Sequence, residues 1–180
     1  MSLLNFPPPK LVFIQYLFAL AVVEACRDES VLGPKAGEKV RLKWPNDLYA
    51  SVGGDKEDLR KIGGVLVNTS FSGGKVDIVI GMILPGSNYF QLKFTLIGCG
   101  LNVLNPPPIT SLVQLHPGAK ETLRMESTAA AIMAKFETMW TVFLRQQSFD
   151  SFMGLYLKRW LHSYVVVFPW SYTTDCMILR

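Results

Sequence analysis

The sequence has little of what metal sites and disulfide frameworks require. Only three cysteines and two histidines occur in 180 residues. Cys26, Cys99 and Cys176 stand far apart, without a CxxC pair or a Cys/His cluster. An odd number of dispersed cysteines is typical of free thiols in a reducing compartment. The cysteines therefore predict a cytoplasmic protein without structural zinc.

The sequence also lacks a strong excess of positive or negative charge. The chain has 18 lysines and arginines against 14 acidic residues, a net charge of +4, and its basic residues are scattered. A nucleic-acid groove needs clustered basic residues, often with aromatic side chains between them. We therefore expect no nucleic-acid partner.

No apolar run is long enough for a membrane span. The most hydrophobic segment, residues 11–23, is shorter than the roughly eighteen residues that a spanning helix needs. A secretory leader would begin with basic residues, but prolines occupy positions 7–9, and no small-residue cleavage site follows. The segment predicts a helix buried in a core, with Pro9 just before its start and Arg27 near its end, where a cation suits the helix dipole. We expect no membrane association.

The apolar content that is present suits one folded domain. Hydrophobic residues make up 49% of the sequence, enough to bury a substantial core. Apolar runs flanking a Ser-Gly-Gly turn predict an antiparallel hairpin. Apolar stripes at helical spacing predict two later helices, the first capped by Ser127. The predicted elements are hairpin strands at 65–69 and 76–84, an irregular connector at 109–126, and helices from Thr128 and over 150–161.

The most distinctive stretch is Lys43-Trp44-Pro45-Asn46-Asp47, which follows the short β-prone run 40–42. Proline favours a turn, so the amide and the carboxylate should lie just past the end of a strand, where ligands often bind. Trp44 is interpreted as packing that steadies the turn. Pro-Asn-Asp is also ordinary turn chemistry, so a plain turn remains the alternative.

Two further stretches place glycines and polar groups on strands. Lys61 precedes a glycine pair and an apolar run, Ile62–Val67, and could serve as a point charge for a carboxylate or phosphate or be a solvated lysine. The run Gly98-Cys99-Gly100-Leu101-Asn102 follows another β-prone segment. It is not a dinucleotide fingerprint, because a third glycine is absent and Pro106-Pro107-Pro108 stands where a phosphate-binding helix would begin. It predicts a glycine-lined strand that ends at an amide.

In this order and spacing, the Lys-Trp-Pro-Asn-Asp, Lys-x-Gly-Gly-x-Leu and Gly-x-Gly-x-Asn-Val runs resemble the biotin protein ligases, or holocarboxylase synthetases. The resemblance covers roughly residues 3–163 and ends near Trp160-Leu161-His162-Ser163. It implies an α+β fold, a mixed and mostly antiparallel sheet packed by helices, of the class II synthetase-like type. It also implies an enzyme that converts biotin and ATP to biotinyl-adenylate and pyrophosphate. The biotinyl group then passes to a lysine of a carboxylase's biotin carrier domain.

The resemblance also implies roles for individual residues. Lys61 would be the catalytic cation between biotin's carboxylate and the α-phosphate, and Asp47 would hold Mg²⁺. Where a carboxylate meets a phosphate, the site must supply positive charge and orientation. The implied ATP-binding residues are Lys43, Asn46, Asp47 and Asn102, and the implied biotin-binding residues are Lys61, Gly64, Leu66, Gly98 and Gly100.

Two departures from the family pattern bear on activity. Family members carry a Gly-Arg-Gly-type arginine loop upstream, and none of the seven arginines here stands beside a glycine. Family members usually continue into a small β-barrel, whereas residues 164–180 form a divergent tail. We therefore expect residues 1–163 to be a partial catalytic domain, incomplete at both ends. The alternatives are an inactive fragment acting at most as a binding module, and a lipoyl or octanoyl ligase of the same fold.

Overall fold

The computed structural model describes residues 2–4, 10–52, 58–68, 71–72, 75–82, 95–116 and 118–161. The predicted boundary at residue 163 and the tail at 164–180 lie outside this set, as do the three prolines at 7–9 and the loop at 53–57. The strands are β1 (Ser2–Leu4), β2 (Val40–Lys43), β3 (Asp47–Ser51), β4 (Leu59–Asn68), β5 (Phe71–Ser72), β6 (Lys75–Met82) and β7 (Thr95–Leu101). The helices are α1 (Val12–Ala25), α2 (Gly33–Gly37), α3 (Ala119–Thr122), α4 (Met125–Gln146) and α5 (Asp150–Arg159).

The strands form one mixed sheet in the order β1-β6-β7-β4-β3-β2, with β5 paired to β6. Every described pair of adjacent strands is antiparallel except β6 and β7, which run parallel. The predicted α+β class with a mostly antiparallel sheet is confirmed.

The hairpin predicted between residues 65–69 and 76–84 is wrong. β7 lies between β4 and β6, pairing antiparallel with β4 and parallel with β6. The antiparallel partners of β6 are instead β1 and the short β5. Adjacent runs of similar apolarity do not reveal which strand will be the spatial neighbour, because a later strand can insert between them.

Helix α1 is the buried core helix that the sequence predicts. Nine of its residues are buried, and the Arg27 guanidinium beyond its end donates a 2.7 Å hydrogen bond to the carbonyl oxygen of Val23. This contact satisfies a C-terminal carbonyl of the helix, as the dipole argument anticipates. None of the helices in the described residues has the length and apolarity needed to cross a bilayer.

The later helices occur where predicted, but with different ends. α4 begins at Met125 with Arg124 in the N-cap position, so Ser127 is not the cap. Instead, the hydroxyls of Ser127 and Thr128 donate to the Arg124 carbonyl oxygen at 3.1 and 2.8 Å. Short polar side chains can make such local backbone bonds inside a helix as well as at its start. The connector predicted to be irregular contains a 3₁₀ turn, Leu112–Gln114, and α3.

Helix α1 packs between the sheet and the two long helices. It contacts β2 and β4 on one side and α4 and α5 on the other. Leu48 and Ile62 of the sheet and Phe143 of α4 are fully buried in the same cluster as α1. Helix α1 therefore covers one face of the central strands, and Lys61, Leu66 and Gly100 of β4 and β7 are exposed.

The end of α5 is tied to both α1 and β2. Arg159 Nε donates to Glu24 Oε1 at 2.5 Å, and both side chains are largely buried. The Leu161 amide donates to the Leu42 carbonyl oxygen at 2.7 Å. Burial and the neighbouring Arg159 lower the pKa of Arg27 to about 10, so Arg27 stays charged at neutral pH beside Glu24. The carboxylate of Glu24 thus lies close to two arginines.

Candidate active site

The predicted Lys-Trp-Pro-Asn-Asp turn joins β2 to β3. Lys43 pairs with Asp47 at the end of the antiparallel ladder, and the three residues between them form the turn. The Asn46 carbonyl oxygen accepts a 2.8 Å hydrogen bond from the Val65 amide of β4. The expectation that the polar pair lies past a strand end holds for Asn46, whereas Asp47 is already the first residue of β3.

A β-bulge interrupts the pairing of β3 with β4 close to this turn. Leu48 pairs with Gly63, but the next pair joins Tyr49 to Lys61. Ile62 is therefore the extra residue of the bulge, and its side chain is fully buried. A bulge re-aims the side chains on either side of it.

The bulge places Lys61 on the same sheet face as Asp47 and Gly64. Lys61 and Gly64 are three positions apart, an odd offset that puts side chains on opposite faces of a regular strand. With one extra residue between them, both share the face of their partners Tyr49 and Asp47. The catalytic candidate therefore reaches the open face of the sheet because of this bulge.

Lys61 and Asp47 form an ion pair on that face. Lys61 Nζ lies 2.6 Å from Asp47 Oδ1, with side chains 55% and 26% exposed. An ion pair this accessible contributes at most about 1 kcal/mol to folding stability. It does place a cation and a carboxylate together where solvent and ligands can reach them.

Lys43 also lies on this face. Its Nζ is 4.9 Å from the centre of the Tyr49 ring, a cation–π contact. Tyr49 is not among the predicted site residues, although its position two residues after Asp47 in a strand indicates that both share one face. The two lysines and Asp47 therefore form a charged group around Tyr49.

Next to this charged group, the open face is formed by glycine backbone. Gly64 pairs with Gly100, and Leu66 pairs with Gly98. Leu66 is 63% exposed, and a Cβ added to Gly100 would meet nothing within 4 Å. The structure therefore brings together most of the predicted site residues on one face of β3, β4 and β7.

Asn102 lies immediately after β7, as predicted, but its side chain is already engaged. Its backbone amide donates to the Ile62 carbonyl oxygen at 2.8 Å. Its side-chain Nδ2 donates to the Thr110 carbonyl oxygen at 3.2 Å. These bonds hold the loop that follows β7 against the bulge.

Trp44 contributes less packing than the sequence suggested. The side chain is 58% exposed, and its indole Nε1 donates to the Tyr16 hydroxyl at 3.4 Å. Gln15 Nε2 donates to the Pro45 carbonyl oxygen at 3.1 Å. Gln15 and Tyr16 of α1 are not among the predicted site residues, although polar groups within the most apolar segment are a signal of a specific contact.

The described residues around Asp47 offer too few metal-ligating side chains to hold a metal ion without other ligands. Within the described ranges, no group of three or more His, Cys, Asp or Glu side chains could enclose a metal ion. Mg²⁺ often binds through one or two carboxylates, with phosphate and water completing its shell. The residues present fit that mode, with Asp47 as the single carboxylate.

Comparisons with known proteins find similarity to the biotin protein ligases over most of the chain. The model of the biotin/lipoate A/B protein ligase family matches residues 1–84. The human protein named biotin--protein ligase is 32% identical over 161 residues, 86% of this chain and 18% of the human protein. Biotin--protein ligase 2 of Arabidopsis thaliana is 32% identical over 83% of this chain and 39% of its own length. The chloroplastic biotin--protein ligase 1 of that plant is 34% identical over 83% of this chain and 35% of its own length. The chain thus spans well under half the length of these relatives.

Proposed function

We propose that the chain belongs to the biotin/lipoate A/B protein ligase family and carries the catalytic residues of a biotin protein ligase, because residues 1–84 match the family model and the similar proteins bear that name. The reaction joins biotin to ATP, releasing pyrophosphate, and then transfers the biotinyl group to a lysine of a carboxylase's biotin carrier domain. The observation that carries the proposal is the Lys61–Asp47 pair, 2.6 Å apart beside a glycine-lined sheet face. The relatives' names support biotin over lipoate as the acid.

Lys61 supplies positive charge where two anions must meet. The carboxylate of biotin attacks the α-phosphate of ATP, and negative charge accumulates on the phosphate oxygens as pyrophosphate leaves. A preorganised ammonium group stabilises that charge and reduces the repulsion between the reactants. Lys61 can serve both anions because it stands at the junction of the charged group and the glycine face.

Asp47 would hold Mg²⁺, a hard cation that would supply charge neutralisation for the phosphates. Asp47 also orients Lys61 before substrates arrive, through the ion pair described above. Lys43, held over the Tyr49 ring, adds a second cation for the triphosphate. Asn46 and Asn102 complete the proposed ATP-binding set with amide groups that can donate and accept hydrogen bonds.

The glycine face is the proposed biotin site. Gly64 and Gly100 leave the backbone open to an approaching ligand, and the exposed Leu66, paired with the buried Gly98, offers an apolar surface. Burial of Leu66 and the apolar parts of biotin against each other favours binding. The carboxylate end of the ligand then lies toward Lys61.

The compartment proposed for this activity is the cytosol. Cys26 and Cys99 are free thiols, as a reducing compartment favours. One relative is named chloroplastic, so fractionation of cells is the appropriate test. Recovery of the protein in an organelle fraction would overturn the cytosolic assignment.

The proposed function is tested by biotin-dependent exchange of labelled pyrophosphate into ATP. We expect exchange with biotin and Mg²⁺, and a loss of roughly 10²–10³-fold in the rate for Lys61→Ala, because one transition-state cation is removed. Lys135→Ala is the matched control, since Lys135 pairs with Asp28 on the surface at 3.6 Å. Its exchange rate should equal that of the wild type.

The alternatives give different results in the same assay. Exchange that depends on lipoate or octanoate rather than biotin identifies a ligase for those acids. If the chain shows no pyrophosphate exchange, but exchange appears once the arginine loop of its relatives is fused upstream, the chain is an incomplete catalytic domain. Silence in both forms contradicts the proposal.

A further inference from the structure

Two consecutive residues of α1 contact two consecutive residues of the turn that carries Asp47. Gln15 Nε2 donates to the Pro45 carbonyl oxygen at 3.1 Å, and the Tyr16 hydroxyl accepts from Trp44 Nε1 at 3.4 Å. Both polar groups come from a helix that is otherwise almost wholly apolar. Their placement connects the core helix directly to the site.

The ring of Tyr16 is itself anchored in the aromatic part of the core. It lies 5.7 Å from the Tyr156 ring and 6.2 Å from the Phe149 ring, centre to centre. Aromatic contacts of this kind restrict the motion of a ring. The hydroxyl is therefore presented to the turn from a fixed position.

The turn is also held on its other side, by the sheet. The Val65 amide donates to the Asn46 carbonyl oxygen at 2.8 Å. Contacts from α1 and from β4 thus hold the three turn residues between Lys43 and Asp47 from two directions. Asp47 follows directly, so the position of its carboxylate against Lys61 depends on how well the turn is fixed.

We propose that Gln15 and Tyr16 are positioning residues that clamp the turn at 44–46 and so fix Asp47 against Lys61 for ATP binding. The clamp itself is a property of the structure. Its role in ATP binding rests on the proposed function. Neither residue would touch the substrates, because both act through the backbone or side chain of the turn.

The clamp is tested by hydrogen exchange of single amides, followed by NMR in the full chain. Gln15→Met preserves side-chain length but removes the donor. We expect it to speed exchange at the Val65 amide by about threefold to tenfold, the effect of losing one net hydrogen bond. The Asn102 amide, which bonds to Ile62 on the other edge of β4, should exchange at its wild-type rate.

The matched controls separate a local clamp from general stability. Gln146→Met makes the same change on α4, where the side chain accepts from Ser151, and should alter neither amide. Tyr16→Phe removes only the hydroxyl and should speed the Val65 amide by a smaller factor, about twofold, because its bond is longer. Equal acceleration of both amides by Gln15→Met, or no acceleration of either, would overturn the clamp.

A second experiment tests the role of the clamp in ATP binding. In the pyrophosphate exchange assay, Gln15→Met should raise KM for ATP by about threefold to tenfold while KM for biotin stays at the wild-type value. An equal rise in both constants, or no rise in either, would overturn the role in ATP binding. If neither the wild type nor its fusion to the upstream arginine loop shows pyrophosphate exchange, the proposed function fails, and the amide measurement still decides the clamp.

Discussion

At the scale of single residues, the glycines of the central strands are not equivalent. A Cβ on Gly63 would collide with the carbonyl oxygen of Gly100, a backbone atom of the neighbouring strand. A Cβ on Gly64 would make only ordinary contacts, and one on Gly100 would meet open space. The lack of a side chain at Gly63 therefore allows β4 and β7 to approach closely, while Gly64 and Gly100 leave a surface open.

This difference predicts opposite outcomes for the same substitution. Gly63→Ala should lower the free energy of unfolding by about 2 kcal/mol or more, because the strands must separate to accept the methyl group. Gly100→Ala should change the free energy of unfolding by less than about 0.5 kcal/mol. Urea unfolding of both variants is the measurement. A similar loss in the two would show that the contact with β7 is not what requires Gly63.

Single residues also show what a sequence can reveal about the site. Motif resemblance predicts a common site for Lys61, Asp47 and Gly64, yet the odd spacing of Lys61 and Gly64 along β4 argues against a shared face. The bulge at Ile62 resolves this conflict, and a bulge depends on the partner strand. Gln15 lay within an apolar run, so periodicity favoured a core role, and its contact with Pro45, 30 positions away, required the fold.

At the scale of elements, the attachment of α5 depends on a largely buried group of charges. Glu24 of α1 accepts from Arg159 and lies 4.0 Å from Arg27. These three side chains are 10–19% exposed. Removing the carboxylate would leave two arginines close together with little solvent to separate them.

Glu24→Gln should therefore lower the free energy of unfolding by roughly 2–3 kcal/mol, although side-chain size is preserved. Chemical denaturation at neutral pH measures the loss. Asp58→Asn is the control, because it removes an exposed pair with Arg60 and should have little effect. If both variants unfold at the same denaturant concentration as the wild type, the buried charges do not stabilise the attachment of α5.

Elements were predicted well where the signal was local and poorly where it was not. The apolar run of α1 and the stripes of α4 and α5 fix helices by their own composition. Strand neighbours are a long-range property, which explains why the pairing of β4 with β7 rather than β6 was missed. Residue type alone predicts Ser127 as a cap, whereas the helix begins two residues earlier, at Met125.

At the scale of the whole molecule, buried titratable groups connect stability to alkaline pH. Burial raises the pKa of the Cys26 and Cys99 thiols from an ordinary value near 9 to about 12. Burial also raises the pKa of Tyr156 from 10 to about 12. The unfolded chain therefore loses these protons at lower pH than the folded chain does.

The sign follows from proton linkage. Stability from these groups is complete below about pH 9, and it falls as pH rises toward 12, by at most about 1.4 kcal/mol per pH unit for each group. Urea unfolding across this range measures the fall. In the folded protein both thiols should resist alkylation at mildly alkaline pH, with labelling traced to each cysteine by mass spectrometry. A free energy of unfolding that rises over the same pH range would contradict the raised pKa values of these buried groups.

The insertion of β7 between β4 and β6 constrains the order in which the sheet can assemble. The β2-β3-β4 meander joins segments that are near neighbours in sequence, so it can nucleate early. β6 can join this meander only through β7, which is synthesised later and must insert between β4 and β6. Pulse labelling during refolding should accordingly protect the Val65 amide, bonded to Asn46, before the Asn102 amide, bonded to Ile62. A nascent chain that stops short of β7 would expose two unpaired strand edges, which are templates for aggregation.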